Sequence, residues 1–418
     1  MTKPALDKSL ESIVGRENIN ESPALAIDEL SPRLIARPGS AQEAAQCLKV
    51  CAEIDAAVVP AGFATWLECG NPRRRADVVI SLERMNCIID YSPADLTATV
   101  QAGISLGDFN ATVMRERQWL PLDPSGAARA SIGAIAVCAS TGPLRFGFGT
   151  IRDYVIGLRL AHADGSESRS GGRVVKNVAG YDMNKLYIGS FGTLALITEL
   201  IVKLRPLPDQ SATLLATSSD VGLLTKLSTS VLAANLLPAS VFIAKAVTTR
   251  LALAVRFVES EPAVKYQLDS VMKMIESGIE AQVIGESEAE PLWSQLADID
   301  RRAPVTIKIS VPLSATASLA EKLLGEESES FIAADMGAGI IRMAFDLEDQ
   351  KAIEKIRRLR REAASRGGTL VVERAPVNVK KEINVWGDVG PTIELMKSIK
   401  AKFDPQGLLN AGVFVAGI

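Results

Sequence analysis

Residues 121 to 206 are interrupted repeatedly by glycine and other small residues. After Pro121-Leu122-Asp123-Pro124 come the run from Ala127 to Gly142, then Gly147-Phe148-Gly149, Gly171-Gly172, Gly180-Tyr181-Asp182 and Gly189-Ser190-Phe191-Gly192-Thr193. Loops of this kind leave backbone amides uncovered and let a ligand come close to the main chain, as a phosphate or a flat ring requires. A large anionic ligand is the expectation, although each loop taken singly reads equally well as a tight turn. Two common nucleotide signatures are missing: no G-x-G-x-x-G follows a strand pattern, and G-x-x-x-x-G-K-[ST] does not occur.

The segments around these loops read as mixed α and β. Residues 38–54 form a helical pattern with Ser40 as N-cap and Glu43 three residues on, a capping box. Residues 57–60 read as a short buried strand, 61–65 as a tight turn, and 77–82 as a second strand, so a small-residue loop leaves a strand end. A strand from Val155 ends in an Asp164-Gly165 turn. Beyond residue 208 the texture changes to strands at 251–258, 304–311, 339–346 and 369–372, with helices at 261–276, 315–324 and 349–366. That alternation predicts a ferredoxin-like α+β unit. A helix over 393–403 leads into the tail, and no internal repeat is visible.

A chain of 418 residues exceeds one ordinary core. Its 46 Lys+Arg against 49 Asp+Glu, a net charge of -3, with no basic stripe, argue against a nucleic-acid partner. The first residues carry charge every few positions, and no uncharged apolar stretch reaches membrane-spanning length, so a cytoplasmic protein without direct membrane insertion is expected. The five cysteines form no C-x-x-C pair and read as reduced core thiols, with no iron–sulfur or zinc pattern. The single histidine, His162, ends an apolar strand and reads as a structural imidazole; one histidine excludes multi-histidine metal sites, and no metal is expected.

The order of the loops adds a resemblance. Residues 59–65 (VPAGFAT), 123–126 (DPSG) with 130–133 (ASIG), 145–153 (RFGFGTIRD), 163–165 (ADG) and 189–199 (GSFGTLALITE) resemble, in the same order, the FAD-binding domain of vanillyl-alcohol oxidase-like flavoproteins, also called PCMH-type. The stretch 170–182 (SGGRVVKNVAGYD) is similar to the glycolate oxidase E-subunit family, as are residues 402–405 and 409–412 near the end. The resemblance implies an α+β fold: a two-subdomain PCMH-type FAD-binding domain at 27–208, a ferredoxin-like cap at 209–392, and a C-terminal segment, 393–418, returning to the first domain.

It further implies FAD with its pyrophosphate at Ala61, Gly62, Phe63, Ala64 and Thr65. Pro121, Asp123, Ala130, Ser131, Ile132, Gly133 and Thr141 are expected along the flavin and phosphates, Gly192 and Ile197 at the adenine, and Asn410 at the isoalloxazine edge. The family usually has three consecutive glycines where this chain has Gly62-Phe63-Ala64, and Ala134 replaces another. Ala64 is harmless if its φ stays negative, whereas Phe63 must turn its ring away. No histidine occupies the flavin-linking loops, so FAD is expected to be non-covalent.

The substrate side is thinner. On strand 304–311, alternation puts Thr306, Lys308 and Ser310 on one face, and Arg342 and Arg374 lie on nearby strands; these can bind a carboxylate or simply form a salt-bridged sheet face. The resemblance implies an FAD subunit of a glycolate oxidase-type 2-hydroxy-acid dehydrogenase complex. Its partners would be a catalytic flavoprotein and an iron–sulfur subunit, which would also supply any contact with the inner membrane. The rival readings are a self-sufficient FAD oxidoreductase with Glu373 or Tyr181 as base, and a scaffold that has lost flavin.

Overall fold

In the computed structural model the described residues are 3–21, 25–173, 181–245 and 251–418. Most of the E-subunit-like stretch, residues 174–180, lies outside them. The first domain is built on two sheets. One has four strands in the order Ile19–Glu21, Leu34–Ala36, Val78–Ser81, Val58–Ala61, the last three parallel. Parallel pairing requires a crossover, and the helix Ala41–Glu53 provides it. Ser40 Oγ accepts the Glu43 N–H at 3.1 Å. The Glu43 carboxylate, however, takes the Gly39 N–H at 2.7 Å, so the box closes one residue further out than the sequence predicts. An N-cap of this kind stabilises a helix by about 1 kcal/mol.

The second sheet is antiparallel throughout: Ile88–Ser92, Thr97–Gln101, Leu196–Lys203, Val155–Ala161, Glu167–Gly171. One apolar core joins the two sheets and takes in Leu6, Leu10 and Val14 of the helix Lys3–Val14, N-terminal to residue 27.

The cap carries one eight-stranded antiparallel sheet: β1 Gln210–Thr217, β2 Ser240–Lys245, β3 Ala252–Glu259, β4 Glu280–Gly285, β5 Val305–Ser310, β6 Phe331–Asp335, β7 Ile340–Phe345 and β8 Thr369–Arg374. Across the sheet they run β4-β1-β3-β2-β6-β7-β5-β8. Helices Val221–Ala233 and Glu261–Met272 cross between the first four strands, and Leu313–Glu326 and Asp349–Ser365 between the last four. Each set is therefore strand-helix-strand-strand-helix-strand, and the two join edge to edge at β2 and β6. The ferredoxin-like unit is present twice. This corrects the expectation of no internal repeat: the duplication lies in strand order, which residue similarity did not disclose.

All four crossover helices pack on one face of this sheet around a core that includes Val255, Ile307, Ile341 and Ile356. The other face is covered over the first half by helix Glu286–Ala297, through Trp293 and Leu296. Over the second half it meets the first domain. Among the described residues no helix is long and apolar enough to cross a membrane.

Candidate functional site

Strand Val58–Ala61 delivers the loop 62–65 to the space between the two sheets of the first domain. A Cβ on Gly62 would lie 2.3 Å from Ser131 Oγ, so any side chain there would displace the Ser131 hydroxyl. Ala64 has φ +60, in the left-handed region, contrary to the expected negative φ. That geometry disfavours an L-residue other than glycine by about 1 kcal/mol. Among the described residues, the backbone N–H groups of Gly62, Phe63, Ala64 and Thr65 have no acceptor. Phe63 turns its side chain into a neighbouring cavity, with Trp119, Leu122 and Trp293, on the far side of the loop.

The loop borders a cleft of about 700 Å³ whose walls are largely aliphatic. Ala61, Gly62, Ala64, Thr65, Ser131, Gly133, Gly192, Ile197 and Asn410 line it, nine of the residues picked from the sequence. Pro121, Ala130 and Ile132 do not: all three are buried, the last two in the core. The Ile132 N–H is bonded to Ile104 O at 2.9 Å, and even Gly133 gives its N–H to Ala102 O at 2.8 Å, so these amides are already occupied. Asp123 is also absent from this cleft. It faces the Phe63 cavity, and both its oxygens accept the Leu144 N–H at 3.0 Å. Burial pushes its carboxyl up to about 7. Its geometry is that of a turn brace.

Asn410 closes the cleft from the chain's end. Its Nδ2 donates to Phe191 O at 2.7 Å and its Oδ1 accepts from Arg73 Nε at 3.0 Å; Arg73 in turn pairs with buried Asp28 at 2.7 Å. The tail that carries Asn410 is pinned by buried Lys400, which donates to Asp404 at 2.6 Å, Thr193 O at 2.7 Å and Leu409 O at 3.0 Å.

A second cleft, about 740 Å³, opens between the first domain and the second half of the cap, and Trp66, Cys69, Cys138 and Phe191 line both clefts. Thr141 lies here, with Arg145, Asp300, Lys308, Arg342 and Glu373. Arg342 grips Glu373 with two hydrogen bonds, 2.9 and 3.3 Å, and reaches Thr141 O at 3.4 Å. Lys308 Nζ is 3.7 Å from the same carboxylate. Arg342 and Lys308 together outweigh burial and hold Glu373 below the usual carboxylate range, while burial depresses Lys308. Glu373 is the residue skipped in the register between β5 and β8, a bulge that sets its aim.

Arg374 stands apart from this cluster, paired with Glu68 at 2.8 Å, and Ser310 does not line the cleft. Thr306 is buried, its hydroxyl unpartnered among the described residues. Tyr181 is 92% exposed and reaches neither cleft. His162 is likewise remote: half-buried, its Nε2 lies 2.7 Å from Ser168 Oγ and its ring stacks on Phe403. The expectation of five core thiols holds only for Cys47 and Cys51. Cys87 is exposed, and Cys69 and Cys138 border the clefts as thiols, burial pushing Cys69 up to about 12. Arg145 and Phe191 have no role in the sequence reading; a charged residue closing a small-residue run, and an aromatic where neighbours are small, are the available signals.

Two family models match this chain, the FAD binding domain over residues 32–171 and the C-terminal domain of FAD linked oxidases over 251–413. The chain belongs to the FAD-linked oxidases. Among these oxidoreductases, the glycolate oxidase subunit GlcD of Bacillus subtilis (strain 168) is 29% identical over 92% of this chain and 89% of its own length. The glycolate oxidase subunit GlcE of Escherichia coli (strain K12) is 38% identical, but over 30% of this chain and 37% of its own. In fold, this FAD-linked oxidase is similar to p-cresol methylhydroxylase, with a TM-score of 0.75 at 14% identity, covering 99% of this chain and 97% of that one.

Proposed function

We propose that this chain is the FAD-binding, E-type subunit of a glycolate oxidase-type 2-hydroxy-acid dehydrogenase complex. FAD would be held without a covalent link in the 700 Å³ cleft. The acceptorless amides of residues 62–65 suit its pyrophosphate, and Gly62 gives the close approach that an anion needs. Ser131, Gly133, Gly192, Ile197 and Asn410 form the remaining walls. When bound, the flavin supplies two-electron redox chemistry, which side chains of this set lack. The chain supplies binding, exclusion of water by aliphatic walls, and orientation through the Asn410–Arg73–Asp28 relay.

The observation that carries the subunit assignment is the shortage of a proton acceptor beside the cleft. Glu373 is tied to two cations and held ionised well below neutral pH, a poor base for an alcohol, Asp300 already accepts the Ser125 hydroxyl, and Tyr181 and His162 lie elsewhere. No group of three or more His, Cys, Asp or Glu placed to hold a metal occurs among the described residues. Substrate oxidation is therefore assigned to a partner flavoprotein and onward transfer to an iron–sulfur partner. The higher GlcE identity over a limited stretch supports an E-type chain, whereas the longer GlcD match supports the wider family.

The test is the visible spectrum of the purified chain, followed by glycolate or D-lactate under anaerobic conditions. The expected result is an oxidised flavin spectrum that substrate leaves unchanged until the partner subunits are added. Bleaching by substrate alone would replace this reading with a self-sufficient oxidoreductase. A colourless chain that does not take up added FAD would replace it with a scaffold.

A further inference from the structure

Arg145 opens the short helix Arg145–Phe148, which is clamped to the cap: Ser240 Oγ donates to Pro143 O at 2.7 Å and Gly147 N to Ala239 O at 3.0 Å. Phe146, next along, packs against Gly337, whose added Cβ would meet the ring at 2.5 Å. The backbone that carries Arg145 is thus fixed from both sides. Its guanidinium nevertheless makes no hydrogen bond and no ion pair among the described residues, and burial lowers its pKa.

Around it the second cleft presents three cations, Arg145, Lys308 and Arg342, against two carboxylates, Asp300 and Glu373. Glu373 is taken by Arg342 and Lys308, and Asp300 accepts from Ser125 Oγ. Asp335 is the nearby acid that most opposes the lowering of Arg145, but its Oδ1 accepts the Gly337 and Ala338 N–H groups at 3.2 and 3.1 Å. One planar fork of donors, carried on a fixed backbone and partly desolvated, is left without an acceptor among the described residues. The hydroxyls of Ser140 and Thr141 line the same wall and have no partner among the described residues.

We propose that Arg145 is the anchor of a binding site for a small carboxylate in this cleft, with Lys308 and Arg342 supplying the surrounding positive charge and the Ser140 and Thr141 hydroxyls meeting a 2-hydroxy or 2-oxo group. A guanidinium matches a carboxylate with two parallel hydrogen bonds, a geometry that a single lysine does not reproduce. The site rests on the cleft and its charges; it does not depend on whether this chain or a partner oxidises the ligand.

Calorimetric titration of the full chain at fixed ionic strength tests it, with glycolate and glyoxylate as probes and the neutral glycolamide as control. Saturable binding of both acids, at least about tenfold tighter than glycolamide, is expected from the charge-assisted pair. Arg145→Gln should weaken the acids about tenfold or more and leave glycolamide unchanged, and Arg145→Lys should recover part of the loss. Arg145 makes no hydrogen bond or ion pair among the described residues and loses only a longer-range attraction to Asp335, so Arg145→Lys should keep the wild-type melting temperature, Arg145→Gln should lower it only slightly, and both should keep the flavin content, all read alongside. Equal binding of acid and amide, or undiminished acid binding by a folded Arg145→Gln, overturns the site. Flavin bleaching by glycolate overturns the subunit assignment instead, so the two failures are distinct.

Discussion

The two ferredoxin-like halves of the cap place equivalent strands in equivalent positions and finish their outer face in opposite ways. In the first half Thr213 of β1 sits opposite Arg256 of β3; in the second, Lys308 of β5 sits opposite Arg342 of β7. Over the first pair lies Trp293, its indole N–H bonded to Thr213 Oγ1 at 2.9 Å and its ring 5.6 Å from the Arg256 guanidinium. Over the second pair no cap helix is laid among the described residues; the cations hold Glu373 and face a cleft shared with the first domain, which Arg342 reaches at Thr141 O. One half became a packed support and the other a charged wall. A repeated topology therefore fixes where a side chain can stand, and the covering helix decides whether that place is core or site.

The contrast can be broken most severely at the cover. Trp293→Ala should cost about 3–5 kcal/mol, as for other large buried aromatics, and should lower the denaturant midpoint without abolishing flavin uptake. Loss of flavin along with stability would show that the supporting half shapes the cofactor cleft after all.

A smaller effect is expected at the acid of the open half. Glu373→Gln leaves Lys308 and Arg342 without their counter-charge and should cost about 3 kcal/mol at neutral pH. The acids near the two halves also titrate in opposite senses. Glu373 is depressed when folded, so its contribution is present above the ordinary glutamate range near 4.3 and is lost as pH falls through its folded value. Asp123, in the cavity that Trp293 and Arg256 also line, is raised to about 7, so its contribution is full below about 4 and lost as pH rises toward 7. Melting curves from pH 3 to 8 should show the gap between wild type and Glu373→Gln widening with rising pH. For Asp123→Asn the variant should gain on wild type as pH rises. Parallel curves in either case would remove the electrostatic part of the contrast.

The smallest effect lies at the loop that both cavities share. Ala64→Gly relieves a left-handed alanine built into the loop itself, so it should stabilise the fold by about 1 kcal/mol and leave FAD affinity unchanged. Melting curves and fluorescence titration with FAD read the two effects, and a changed affinity would mean that the loop alters its φ on binding.

Much of this was legible in the sequence because it is local. Alternation located β5 and β7, and Ser40 announced its helix. The nine residues of the first cleft followed from the order of the loops, through the family resemblance, since each loop alone also reads as a tight turn. What was not legible depends on parts distant in the chain. The repeat is a matter of strand order. The occupied amides of Ile132 and Gly133 are bonded to residues 104 and 102, and the separation of Arg374 from Arg342 follows from the Glu373 bulge and a pairing with Glu68. Arg145 gained significance only once the structure showed that it had no partner.

Asn410 is both a wall of the first cleft and a partner of Val58, whose carbonyl accepts its N–H at 2.9 Å, although the entire cap lies between them in the chain. On a ribosome the strand at Val58 is therefore made long before its partner, and the pocket cannot form until the whole cap between them has been synthesised. A product terminated anywhere before Asn410 lacks the piece that would let it sequester flavin.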